Sequence, residues 1–196
     1  KGVKGDNFFR TIYFIPVVIS SMVIGQLWLK MFNSDYGVIN TVIRYFVPEY
    51  EHSWLTKNAF MTVLIPSVWQ YIGYHMIIFY AGIKSISTDY YEAAQIDGCT
   101  KTQATLNVTI PLMRSSFVQC LFLTITRCFM VYDVNLSLTK GEPFNSSVMA
   151  AMHVYNQAFS YKNYGTGQAE ALVLFVVCAI VGVTQVYIGK KGEVAA

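Results

Sequence analysis

Apolar positions gather into four long runs, at 12–32, 59–83, 112–132 and 171–188, separated by polar stretches. A bilayer core about 30 Å thick takes about 20 apolar residues in a helix. Each run therefore predicts a membrane-spanning helix, and the chain an all-α, polytopic bundle. Pro16 and Pro66 fall early in the first two runs, where proline removes little helical hydrogen bonding. The third run carries Gln119 and Arg127. A central arginine costs about 2.5–3.5 kcal/mol to insert, while each Leu, Ile, Phe or Val returns about 0.3–0.6 kcal/mol. That run has to lean on neighbouring helices. Arg127 lies near its end, where it either snorkels to the outer interface or lines a polar path.

Between the second and third runs, residues 84–111 change pattern to two short helices around a glycine. Asp89 is expected to cap the first, with Glu92 three residues on completing a capping box. Gly98 suits the left-handed residue that ends a helix. Thr100 and Gln103 repeat the capping-box spacing and open the second helix, which Pro111 stops or kinks into the third run. Exposed Ala93, Ala94 and Ile96 on such a hairpin are expected to enter a partner's cleft.

Composition agrees with the runs. Of 196 residues, 54% are hydrophobic and 13% charged, against about 25% charged in soluble domains. Disorder, nucleic-acid binding and a soluble enzyme are excluded. The net charge of +3 is too small for a polyanion partner. Lys1, Lys4, Arg10, Lys84, Lys101, Arg114, Lys190 and Lys191 flank one side of the runs. Lys30, Arg44, Lys57, Lys140 and Lys162 lie on the other. The positive-inside rule then places both ends and the 84–111 loop in the cytoplasm. Cys99, Cys120, Cys128 and Cys178 form no metal or disulfide spacing and are expected as free buried thiols.

Glu92-Ala93-Ala94, three residues, Gly98, nine residues, then Val108-Thr109-Ile110-Pro111 resembles the EAA loop of ABC-importer permeases. Further matches come in chain order. Phe8-Phe9-Arg10-Thr11 with Phe14-Ile15-Pro16 resembles the entry to an early span, and Tyr36-Gly37-Val38-Ile39-Asn40 the outer loop after it. Phe79-Tyr80-Ala81-Gly82-Ile83 resembles the end of the span before the EAA loop. Leu138-Thr139-Lys140-Gly141-Glu142-Pro143 resembles the outer Gly-Gly-Pro loop, with Lys140 and Glu142 in place of glycines. Residues Gly165 to Ala171 and the closing Lys190-Lys191-Gly192-Glu193-Val194 fit as well. The set is similar to the carbohydrate branch, the maltose-type permease subunits.

The resemblance implies an importer half-pore working with a cytoplasmic ATP-binding subunit, a second permease subunit and an extracytoplasmic substrate-binding protein, in an inner membrane. It implies that Glu92 meets a basic residue of the ATPase, with Ala93 and Ala94 as the close-packing face, Gly98 as the turn and Pro111 closing the motif. ATP and Mg belong to that partner, and this chain is expected to bind no cofactor. It also implies one or two helices ahead of Phe8.

No Gly-x-x-x-x-Gly-Lys-Ser/Thr loop occurs, and His52, His75 and His153 share no ligand spacing. Neither catalysis nor a metal is assigned. Gln70, Tyr74, His75, Gln119, Thr124 and Arg127 are the candidates for a substrate path, since polar groups in spans face the bundle interior. Asp133 and Asn135 are candidates for meeting the binding protein. The expected cargo is a sugar or oligosaccharide. A polyol or glycerol phosphate ester on the same machinery, or a membrane scaffold without transport, are the alternatives.

Overall fold

The computed structural model describes residues 5–193, with side chains as far as Gly189, and contains helices and no strand among them. Lys1, Lys4, Lys190 and Lys191 of the charge reading, and the closing motif from Lys190 on, lie outside the described side chains. The chain divides into two compact units, one from residues up to 73 with 129–175, the other from 74–128 with 176 onward.

In the first unit, α1 (Asp6–Val18) and α2 (Ser21–Met31) meet at a bend of 100°. The run 12–32 is therefore two helices rather than the single helix its apolarity suggests. The break sits at Ile19 and Ser20, both with extended ψ angles of 136° and 135°. Gln70 explains why it is tolerated. Its side-chain Nε2 donates to the freed Ile19 carbonyl at 3.2 Å and to Ser21 Oγ at 3.2 Å. Hydropathy registers apolar side chains; it does not register a glutamine 51 residues away that satisfies the backbone.

α1 crosses α5 (Ala59–Lys84) at Gly73, where a Cβ would strike the Tyr13 carbonyl. α2 lies against α10 (Asp133–Leu138), with Gly25 flat on Ser137 and Gln26 Nε2 donating to Ser137 O at 2.9 Å. Phe32, Val63 and Leu138 form the buried centre, with Trp28, Ile39, Trp54 and Met149 packed on it. A nine-residue helix, α3 (Val38–Phe46), is fixed by its polar face. Asn40 Nδ2 donates to Ser34 O (3.1 Å) and His52 O (2.8 Å), and its Oδ1 accepts from Trp54 Nε1 at 2.8 Å. One turn on, Arg44 donates to the carbonyls of Ser34, Asp35 and Tyr50. A single turn, α4 (Trp54–Lys57), leads into α5.

The second unit holds α6 (Thr88–Ile96), α7 (Lys101–Ala104), α8 (Ile110–Leu112) and α9 (Arg114–Met130). Its long helices approach through small residues. Gly82 faces Ser116, Gly182 faces Phe122, and Gly189 faces Val118, the kind of contact that lets apolar helices associate without a hydrophobic drive. The remaining helices are α11 (Ala150–Tyr155) and α12 (Tyr164–Glu193).

Among the described residues, Tyr164–Gly189 is long and apolar enough to cross a membrane as one helix. Two more crossings arise if each bent pair counts as one, α1 with α2 and Lys101–Leu112 with α9. At 26 residues α5 is long enough, but Gln70, Tyr71, Tyr74 and His75 dilute its apolarity below the same requirement. All four cysteines are free; Cys120 is buried as expected, Cys99 and Cys178 are half-buried, and Cys128, in the last turn of α9, is exposed.

Candidate functional site

The 84–111 segment folds as a hairpin within the second unit. Ser87, not Asp89, caps α6: its Oγ accepts the Asp89 N–H at 3.3 Å. Asp89 stands instead in the first turn, where a carboxylate suits the positive end of the helix. The Asp89–Glu92 spacing misleads because Ser87 takes the cap two residues earlier. At the other end Gly98 N–H reaches Gln95 O at 3.0 Å and Cys99 N–H reaches Ala94 O at 2.9 Å. With Gly98 at φ 76°, this is a Schellman stop. Thr100 then caps α7 reciprocally. Gln103 N–H donates to Thr100 Oγ1 (3.4 Å), and Thr100 N–H to Gln103 Oε1 (2.8 Å).

The two arms are braced by Tyr91 Oη and Thr109 Oγ1, 3.1 Å apart. No spacing signals that brace, since it depends on the turn angle. After α7 the helix widens into a π turn, Thr105–Thr109. Pro111 comes next; it has no N–H for the carbonyl one turn back. The path continues through Pro111 and bends by 59° at buried Met113. The kink is present, two residues beyond the proline.

Glu92, Ala93 and Ile96 are exposed, Ile96 at 87%. Ala94 is not: at 7% exposure it is buried, and its carbonyl accepts the Cys99 N–H of the stop. The outward face is Glu92, Ala93 and Ile96.

A Cβ on Gly98 would meet nothing within 4 Å, so only its φ resists substitution. Left-handed backbone costs an ordinary residue about 1–2 kcal/mol, and asparagine less. Transport measured on the assembled importer is expected to fall in the order Gly98, Gly98→Asn, Gly98→Ala, Gly98→Val. Equal activity for the alanine and asparagine variants would show that the left-handed turn is dispensable.

Among the path candidates of the second unit, His75 and Thr124 meet, Nε2 to Oγ1 at 3.0 Å. Thr124 already donates its hydroxyl proton to Cys120 O at 2.8 Å. It therefore accepts from His75, which fixes the Nε2–H form of the ring in this contact. Tyr74 lies edge-on beside His75. Gln119 and Arg127 are exposed on α9. Gln70, 2% exposed, is occupied in closing the break between α1 and α2.

Asn135 is fully buried and does not present itself to a partner. Its amide donates to Ser147 O, and its Oδ1 accepts from Thr139 Oγ1 at 2.6 Å. These bonds pin the 139–147 loop, in which Lys140 (φ 55°) and Gly141 (φ 89°) are both left-handed. Lys140 thus adopts the backbone that the glycine of the motif favours. Asp133 is exposed.

A sequence profile for the binding-protein-dependent transport system inner membrane component matches residues 1–192. The chain belongs to that family. This inner membrane component is 37% identical over 190 residues to the Probable starch degradation products transport system permease protein AmyD of Thermoanaerobacterium thermosulfurigenes, covering 96% of this chain and 64% of the relative. It is 30% identical over 192 residues to the multiple sugar-binding transport system permease protein MsmF of Streptococcus mutans, covering 98% and 66%. The chain thus spans a little under two thirds of the length of these curated relatives. Its fold matches a chain of a bacterial alginate ABC transporter, solved in complex with an alginate pentasaccharide-bound periplasmic protein. The TM-score is 0.84 at 20% identity, over 97% of this component and 67% of that chain.

Proposed function

We propose that this component is a permease subunit of an ATP-driven, binding-protein-dependent importer, translocating a sugar or oligosaccharide. The observation that carries the reading is the 84–111 hairpin, whose backbone is satisfied internally at its tip while Glu92, Ala93 and Ile96 project outward. Such a knob fits a cleft on a soluble partner. The partner is a cytoplasmic ATP-binding subunit, which holds ATP and Mg. A second permease subunit completes the pore, and an extracytoplasmic binding protein delivers cargo from the opposite side, with exposed Asp133 as the candidate contact. The sugar assignment is supported by the cargoes that the relatives' names carry. On this chain, the His75–Thr124 pair with Tyr74 supplies the mixture of hydrogen-bonding and aromatic surface that saccharides favour.

In this mechanism closure of two ATPases moves the paired hairpins. The 59° bend at Met113 passes that movement to α9, and access alternates between outside and inside. The test is cysteine cross-linking from Ile96, in the full-length importer lacking its other cysteines, to single cysteines along the ATPase cleft. A yield that changes with ATP is expected. Absence of any cross-link in a correctly inserted complex would leave a scaffold as the better description. Glu92→Ala is expected to keep insertion intact and depress uptake about 10- to 150-fold, the worth of one charge-assisted contact of about 1.5–3 kcal/mol. Unchanged uptake would remove Glu92 from the docking face.

A further inference from the structure

α3 is amphipathic in an unusual sense: its polar face is the buried one. Asn40 and Arg44, one turn apart, spend six hydrogen bonds tying the helix to the segments on either side. The opposite face carries Val38, Val42, Tyr45 and Phe46, spaced as one helical stripe. All four are exposed, Tyr45 at 84% and Phe46 at 76%. Among the described residues, no element of the first unit covers them.

What covers them is indicated by the residues that hold and flank α3. The chain has three tryptophans, and all three join one aromatic cluster that α3 touches through Ile39 and Asn40. Trp28 lies 5.8 Å from Trp69 and 5.2 Å from Phe32, and Phe32 lies 5.9 Å from Trp54, ring centre to ring centre. Ile39 of α3 packs on the same cluster, and Asn40 accepts the Trp54 indole N–H. Tryptophan and tyrosine concentrate where the hydrocarbon meets water. Asp35, Glu49 and Glu51 flank the helix on its loops, so the surrounding chain is aqueous. A nine-residue helix is about 13 Å long, too short to span and long enough to lie flat.

We infer that α3 is an interfacial helix: it lies in the plane of the membrane's outer surface, with Val38, Val42, Tyr45 and Phe46 in contact with lipid. Asn40 and Arg44 clamp it there from the protein side. The inference rests on membrane residence of the family, not on the cargo, and it holds whatever is transported.

The test places the photo-reactive analogue p-benzoylphenylalanine at Phe46, and separately at Tyr45, in the full-length assembled importer. The complex is reconstituted in nanodiscs of phosphatidylethanolamine and phosphatidylglycerol and irradiated. Mass spectrometry is expected to find phospholipid adducts at both positions, several-fold above those formed from an analogue at exposed Glu49. A cross-link to another subunit at position 46 would overturn the inference and make the stripe a protein interface. Absence of either adduct, with the complex intact, would overturn it too, by showing the stripe in water. Failure of the importer as a transporter would not alter the adduct pattern, so the two readings fail separately.

Discussion

Gly73→Ala is expected to be among the most damaging single substitutions in the chain. The added Cβ would meet the Tyr13 carbonyl group and lie 2.9 Å from Phe14 N, all backbone atoms of α1. Backbone inside a helix cannot step aside, so α1 has to be displaced as a body. Overpacking of this kind costs about 1–3 kcal/mol, or about 5- to 150-fold in the ratio of folded to unfolded protein. Displacing α1 also pulls the Ile19 carbonyl from Gln70, adding an orphaned acceptor. Gly82→Ala is the control, because there the obstacle is the Ser116 hydroxyl, a side-chain end that rotates. Yield and thermal melting of the detergent-purified complex are expected to drop sharply for Gly73→Ala and modestly for Gly82→Ala. Wild-type melting for the first would mean that α1 and α5 do not touch there.

Ile96→Asp is expected to weaken coupling severely while leaving the fold untouched. At 87% exposure the side chain contributes almost nothing to the chain's own stability. Buried in a partner's cleft, an isoleucine is worth about 1.5–3 kcal/mol, and an aspartate in its place adds the cost of stripping water from a charge. Uptake and cargo-stimulated ATP hydrolysis should fall together by about 10- to 100-fold, with membrane insertion and melting unchanged. Ile96→Leu should restore most of the loss. Normal uptake by Ile96→Asp would remove the hairpin tip from the docking surface.

The hairpin is largely legible in the sequence because its determinants are local. Gly98 and the Thr100–Gln103 pair act within a few residues, and each appears in the structure as its type and spacing suggest. Two local features depart from that reading. Ser87 displaces Asp89 as the cap, since both residue types serve, and Ala94 is buried on α6 while Ala93 beside it is exposed. The break at Ile19 is illegible because its compensation comes from Gln70 on another helix. For the same reason Gln70 and Asn135 read as available polar groups when they are spent on backbone carbonyls. Apolar runs report where chain is apolar; they do not report where a distant side chain allows it to bend.

The doubly capped tip has a consequence for speed. A loop that folds only on its partner has to lose conformational entropy at each encounter and regain it at each departure. Here the Gly98 and Cys99 N–H groups are taken by the carbonyls of Gln95 and Ala94, and Thr100 and Gln103 cap each other, before any partner arrives. In the proposed coupling role the tip would meet its cleft already shaped, and repeated engagement would require no refolding step.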